Sequence, residues 1–282
     1  MNFGLLDALI NLVMVAFWYQ IWRKNDSSDS YNPYIYGISR PAQQGIQFLR
    51  HALPVLSPRL ISVLLLVFCI LFRALASQRS EWSLVFGFEK VEPSASLISH
   101  LRLSFISFAM FLFSIWGISM IYVRADRDIY SDHTKSALFL VSAPFVQLPA
   151  KWRPPALLLF GVLIACMLIN WSTHAGPPLA GRVVIAHAII SSLMAWFDLL
   201  LVLVNMMVIL IIGSWITMIA GTNEMAYFCK SWIDLIVGPL RRFPMIVGPL
   251  DLTPIVFIFG VSFVYNFLRM LLHDQYRALS IF

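Results

Sequence analysis

Charge is what this chain has least of. Lys and Arg number 20 and Asp and Glu 14, together 12% of 282 residues, where a soluble domain carries about a quarter. Too few charged side chains remain to clothe a soluble core. Cysteine is also scarce, at 3, which rules out a disulfide scaffold. No phosphate-binding loop, nucleophile elbow or paired-carboxylate arrangement is present. The net charge of +6 is scattered around turns and forms no basic arm or stripe, so nucleic-acid readout is excluded. What the chain does have is apolar surface: 60% hydrophobic residues, 14% aromatic, mean hydropathy +0.80. This balance defines an all-α polytopic membrane protein.

A spanning helix needs about 20 mostly apolar residues. Six stretches qualify: Gly4–Trp22, Leu60–Ala76, Leu103–Val123, Pro155–Trp171, Leu199–Ile219 and Pro254–Leu272. The apolar run Val183–Phe197 precedes the fifth and reads as an interfacial helix or a tilted extension. No positive region precedes the first stretch, and Phe17, Trp18, Tyr19 and Trp22 resemble an interfacial anchor rather than a cleavage site, so it is expected to stay in the mature chain.

Basic residues set orientation. Arg23, Lys24, Arg40, Arg50 and Arg59 follow the first span. Arg124, Arg127, Lys135, Lys151 and Arg153 follow the third, and Lys230, Arg241 and Arg242 the fifth. Arg73, Arg79, Lys90, Arg102, Arg182, Arg269 and Arg277 fall on the other side. The bias predicts cytoplasmic motif loops, with both termini outside.

The same order of events occurs three times. A span with a tryptophan near its end (Trp22, Trp116, Trp215) leads to a short polar stretch, a connecting segment, spaced prolines and a second span. The prolines are Pro41, Pro54 and Pro58, then Pro144, Pro149, Pro154 and Pro155, then Pro239, Pro244, Pro249 and Pro254. The expected architecture is therefore about six transmembrane helices in three tandem helix–amphipathic segment–helix hairpins. The units are 1–77, 101–172 and 198–282. Between them lie an external loop, 78–100, and a loop with an interfacial helix, 173–197. The connecting segments are amphipathic: Ala42, Ile46, Leu49 and Leu53 share one face in the first copy, and Met225, Phe228, Trp232 and Leu235 in the third. They are expected to lie along the membrane surface. Proline lacks an amide donor and biases its predecessor away from helix, so each cluster turns the chain back into the bilayer.

The most specific signal runs through Ser214-Trp215, Asn223, Asp234, Gly238-Pro239-Leu240-Arg241-Arg242, Pro244 and Gly248-Pro249-Leu250-Asp251-Leu252-Thr253-Pro254. It resembles the signature of the YggT family of small bacterial and plastid membrane proteins. Leu235 and Pro249 depart from that pattern, standing where the family has a proline and a glycine. The resemblance implies a non-enzymatic role in membrane stress or osmotic tolerance, or in assembly and scaffolding. Membrane lipids and another membrane protein would be the partners. Asn223, Asp234, Pro239, Arg241, Arg242, Pro244, Gly248, Asp251 and Pro254 would form a structural membrane turn, with Asp251 capping the last span.

Ionisable residues inside a membrane are functional candidates. Asp198, with Asn205 on the same helical face, marks either a membrane boundary or a polar path in a channel or transporter component. Asp7 with Asn11, and Arg102, stand at comparable positions in the other units and favour the boundary reading. No two of the six histidines have helical metal-pair spacing, and no cofactor is expected. Axial haem ligation by histidines from different spans would begin at His187. A single cysteine at Ser27 or Lys230, in an otherwise cysteine-free chain, should resist an impermeant thiol reagent in intact cells. Labelling from outside would reverse the orientation.

Overall fold

The computed structural model describes residues 3–23, 33–78, 82–125, 133–172, 181–221, 223–238, 245–247 and 250–279. Helices α1 (Phe3–Trp22), α2 (Pro33–Ala52) and α3 (Pro58–Ser77) come first. A hairpin, β1 (Leu84–Phe86) and β2 (Glu89–Val91), follows. Then come α4 (Leu97–Ala125), α5 (His133–Val141), α6 (Arg153–Ser172), α7 (Gly181–Ile219) and α8 (Asn223–Val237). The short pair β3 (Ile246–Val247) and β4 (Leu250–Asp251) leads into α9 (Thr253–Leu279). Among the described residues, five helices are long and apolar enough to cross a membrane: α3, α4, α6, α7 and α9. A shorter apolar segment, Leu9–Trp22, lies within α1. Three times an apolar helix is followed by a connecting helix that is not a membrane-span candidate and then by a second apolar helix, although α2, at 20 residues, is as long as α1 and α3. Within each triplet the outer helices pack together, α1 on α3, α4 on α6 and α7 on α9, while α3 on α4 and α6 on α7 join one hairpin to the next.

The prolines sit where their missing amide costs least. Pro58 opens α3, and Ser57 caps that helix by accepting from the Leu60 amide at 3.3 Å. Pro154 and Pro155 occupy the first turn of α6, and Pro254 that of α9. Pro41 departs from the expected turn. It lies inside α2, which continues because Ile35, Ala42 and Ile46 bury one face. Leu53, assigned to that stripe, lies beyond the helix end and is exposed.

Of two connecting regions, the first differs from expectation and the second takes one of the two forms expected, an extension of the fifth span. The stretch 78–100 is not simply an external loop. Its β1–β2 hairpin sends Leu84, Phe86 and Val91 into the main core beside Phe113, Leu157, Leu168 and Leu199. Residues 183–197 form no separate interfacial helix. They are the first part of α7, whose 39 residues rise about 58 Å, roughly twice the hydrocarbon thickness. With apolar side chains all along it, nothing in that stretch stops the helix.

After Gly221, in the left-handed region at φ +70°, α8 turns back along the second half of α7. Ile236 and Val237 pack with Leu203 and Met207, and a Cβ on Gly213 would lie only 3.4 Å from Cys229 Sγ. The first and second units meet at Trp116, which stacks on Phe145 at 5.3 Å and lies 6.5 Å from Trp18. Trp18 Nε1 donates to the Ala143 carbonyl at 2.8 Å. The tryptophans that open the three repeats thus have unequal roles: Trp22 and Trp215 are 38% and 65% exposed.

Gly87 carries the hairpin turn. Its φ is +60°, and a Cβ there would overlap the backbone carbonyl of Ser191 on α7. Gly87→Ala should therefore destabilise the detergent-solubilised protein by about 1–3 kcal/mol. Gly45→Ala, on a helix with open space around it, should be neutral or stabilising by about 0.5–1 kcal/mol. Thermal unfolding of the two variants side by side checks the pair; equal melting points would contradict the turn assignment.

Candidate functional site

The polar side chains of the long helices gather into two clusters. The first begins with Arg73, fifteen residues beyond the start of α3 and wholly buried. A guanidinium there must be neutralised by the protein, because the bilayer supplies neither water nor counter-ions; Nη1 and Nη2 find partners, whereas Nε has none among the described residues. Two side chains one turn apart on α1 answer it. Arg73 Nη2 pairs with Asp7 Oδ1, and Nη1 donates to Asn11 Oδ1 at 3.1 Å. Asn11 Nδ2 in turn donates to Asp7 at 3.4 Å, holding the carboxylate in place. Ser107 of α4 accepts from Nη2 at 2.5 Å. The guanidinium lies over the Trp82 ring, 5.3 Å from its centroid. Ser77 Oγ and His100 Nδ1 lie 2.9 Å apart, and Ser104 donates to the Ile70 carbonyl at 2.8 Å, so a polar seam joins α3 to α4. One ion pair and its neighbours tie three helices together.

The second cluster lies under the hairpin. Glu89, only 7% exposed, accepts from Ser191 of α7 at 3.1 Å and from the Tyr276 hydroxyl of α9 at 2.9 Å. The His187 and Tyr276 rings meet edge to face at 4.8 Å, and Phe88 lies 5.1 Å from Tyr276. Three turns back along α9, the buried Tyr265 donates to Asp198 Oδ1 at 2.9 Å. Each tyrosine thus brings α9 onto a carboxylate, one on α7 and one on the hairpin.

Asp198 is therefore half-buried and bonded across two helices. Asn205 is exposed on α7 and does not share this cluster. Asp7, half-buried, and Asn11, buried, are the partners of Arg73. Arg102 is exposed, with its guanidinium 5.7 Å from the Trp171 ring.

Of the motif residues, Asn223 opens α8, Asp234 is half-buried on that helix, and Asp251 pairs with Ile246 in β3–β4. Pro254 is half-buried in the first turn of α9. Thr253 Oγ1 accepts from the Met245 amide at 3.1 Å, and the Leu252 amide donates to the Met245 carbonyl at 2.9 Å, so this turn is closed by backbone and threonine. Pro239, Arg241, Arg242, Pro244 and Gly248, and the side chains of Asn223 and Asp251, lie outside the described residues.

His187 is buried, with Nδ1 2.9 Å from the Val183 carbonyl of its own helix. Among the described residues, no three His, Cys, Asp or Glu side chains converge as metal ligands. Cys69 and Cys166 are half-buried and Cys229 is buried. No protein-family model, curated protein or solved structure matches this chain.

Sequence reasoning missed Arg73, Glu89, Ser191, Tyr265 and Tyr276. Arg73 carried a usable signal, a lone cation inside an apolar helix; Glu89, in a polar connecting stretch, carried none. Asp7→Leu strands the wholly buried Arg73 and should cost about 3–5 kcal/mol, whereas Arg73→Met leaves a carboxylate that is 24% exposed and should cost less. The double variant should recover most of that loss, because no charge is then stranded. A double-mutant cycle measured by reversible denaturation in mixed micelles checks this; additive losses would contradict the pairing.

Proposed function

We propose that this chain is a non-enzymatic, multi-pass membrane protein of the YggT type. On this reading it resides in the bacterial inner membrane and acts in assembly or scaffolding, or in membrane stress and osmotic tolerance. The observation that supports this reading is how its carboxylates are used. Asp7, Glu89 and Asp198 each accept from donors on other elements of the same chain: Arg73, then Ser191 with Tyr276, then Tyr265. Acidic groups that move protons or ions must exchange partners with a permeating species. These are committed to holding helices to one another, as befits a framework presenting fixed surfaces to lipid and to a membrane partner. The threefold order of apolar helix, connecting helix and apolar helix agrees with a duplicated hairpin unit and with the proline-rich motif preceding α9.

Reconstitution tests the reading directly. Liposomes containing the purified protein should pass ions no faster than empty liposomes, and cross-linking in native membranes should trap a stable membrane-protein partner. Ion flux that is abolished by Asp198→Asn would overturn the proposal in favour of a channel or transporter component.

A further inference from the structure

An apolar cavity of about 180 Å³ opens on the flank of the bundle between the start of α6 and the first half of α7. Phe113, Pro154, Pro155, Leu158, Leu193 and Trp196 line it. The hydroxyl in its wall, Ser192 Oγ, is turned to the Leu158 carbonyl at 3.3 Å, and Pro154 and Pro155 have no amide to offer. The wall therefore presents carbon. A space of this kind stays dry, and left empty it forfeits the dispersion contacts of every atom facing it. Leu158 is 37% exposed and Pro155 is also exposed, so the cavity communicates with the surroundings of the bundle.

Its mouth has a different chemistry. α6 is 20 residues long, about 30 Å, which matches the hydrocarbon thickness and sets its first turn at a membrane boundary. Immediately before that turn stand Lys151, exposed, and Trp152, 58% exposed. An indole at that level sits among headgroups. Arg153 is occupied: its Nε donates to the Leu148 carbonyl at 3.0 Å and its Nη2 to Val146 at 2.6 Å. It thereby fixes the segment carrying Lys151 against the helix start. The cavity thus combines a dry apolar slot with a cation and an indole one helical turn away, at headgroup depth.

We propose that this cavity is a binding site for an anionic phospholipid, one acyl chain entering between α6 and α7 and the headgroup phosphate resting against Lys151 and Trp152. The proposal depends on the chain spanning a membrane and not on the scaffolding role, so flux measurements leave it untouched. Native mass spectrometry of the full-length protein, released from nanodiscs of equal parts phosphatidylglycerol and phosphatidylcholine, reads it out. Phosphatidylglycerol should remain bound preferentially. Lys151→Gln, a surface change, should weaken that retention about fivefold, the worth of one cation beside an anionic membrane. Leu158→Trp, which fills the slot, should abolish retention of either lipid while leaving the melting temperature in detergent unchanged or higher. If Leu158→Trp does not fold, the Lys151→Gln comparison and the lipid preference of the unaltered protein still decide. Equal retention of the two lipids, or retention indifferent to Lys151→Gln, would overturn the site.

Discussion

The structure depends on one constraint: a charge placed among apolar helices must be answered by the protein itself. Arg73 is the clearest instance. Its guanidinium is wholly buried, and lipid offers it neither water nor counter-ion. The answer comes from Asp7 and Asn11 on α1 and from Ser107 on α4, so satisfying one side chain fixes the mutual register of three helices. Apolar packing alone would not do this. Lipid tails are as hydrophobic as leucine, and helices in a bilayer gain little from exchanging one apolar neighbour for another. Directional polar contacts and close steric fit must therefore supply the specificity.

The same logic repeats in the third unit with neutral donors. Tyr265 and Tyr276, three turns apart on one face of α9, reach Asp198 on α7 and Glu89 on the β1–β2 hairpin. Steric fit joins these polar ties at Gly87. Its left-handed backbone and missing side chain let the hairpin lie directly on the α7 backbone at Ser191, which brings Glu89 within reach of the Ser191 hydroxyl. A segment that connects α3 to α4 in sequence thus becomes the clamp between α7 and α9. The linker between units one and two is thereby tied to α7 and α9.

Much of the fold is legible in the sequence because length and hydropathy respond to bilayer thickness. The long helices fall where the apolar runs lie, and the prolines at positions 58, 154, 155 and 254 mark first turns. Register and pairing are less legible. The partner of Arg73 lies 66 residues away and that of Glu89 187 residues away, and no local period encodes either. For residues 183–197 the sequence left two forms open, an interfacial helix or an extension of the fifth span, and the 39-residue α7 is the extension. The motif before α9 announces itself through residue order, yet the polar clusters that bind the helices together use residues outside it. Order reveals the turn, whereas three-dimensional neighbours reveal the ties.

Reversing the polarity of the buried pair addresses the central claim most directly. In Asp7→Arg combined with Arg73→Asp, the opposite charges still meet, whereas either single change sets like charges together. The account predicts that each single variant is lost from the membrane as folded protein and that the double exchange restores a substantial fraction of the unaltered level. Folded yield that stays normal in the single variants, or a double exchange no better than either, would show that the helices are not held by this contact.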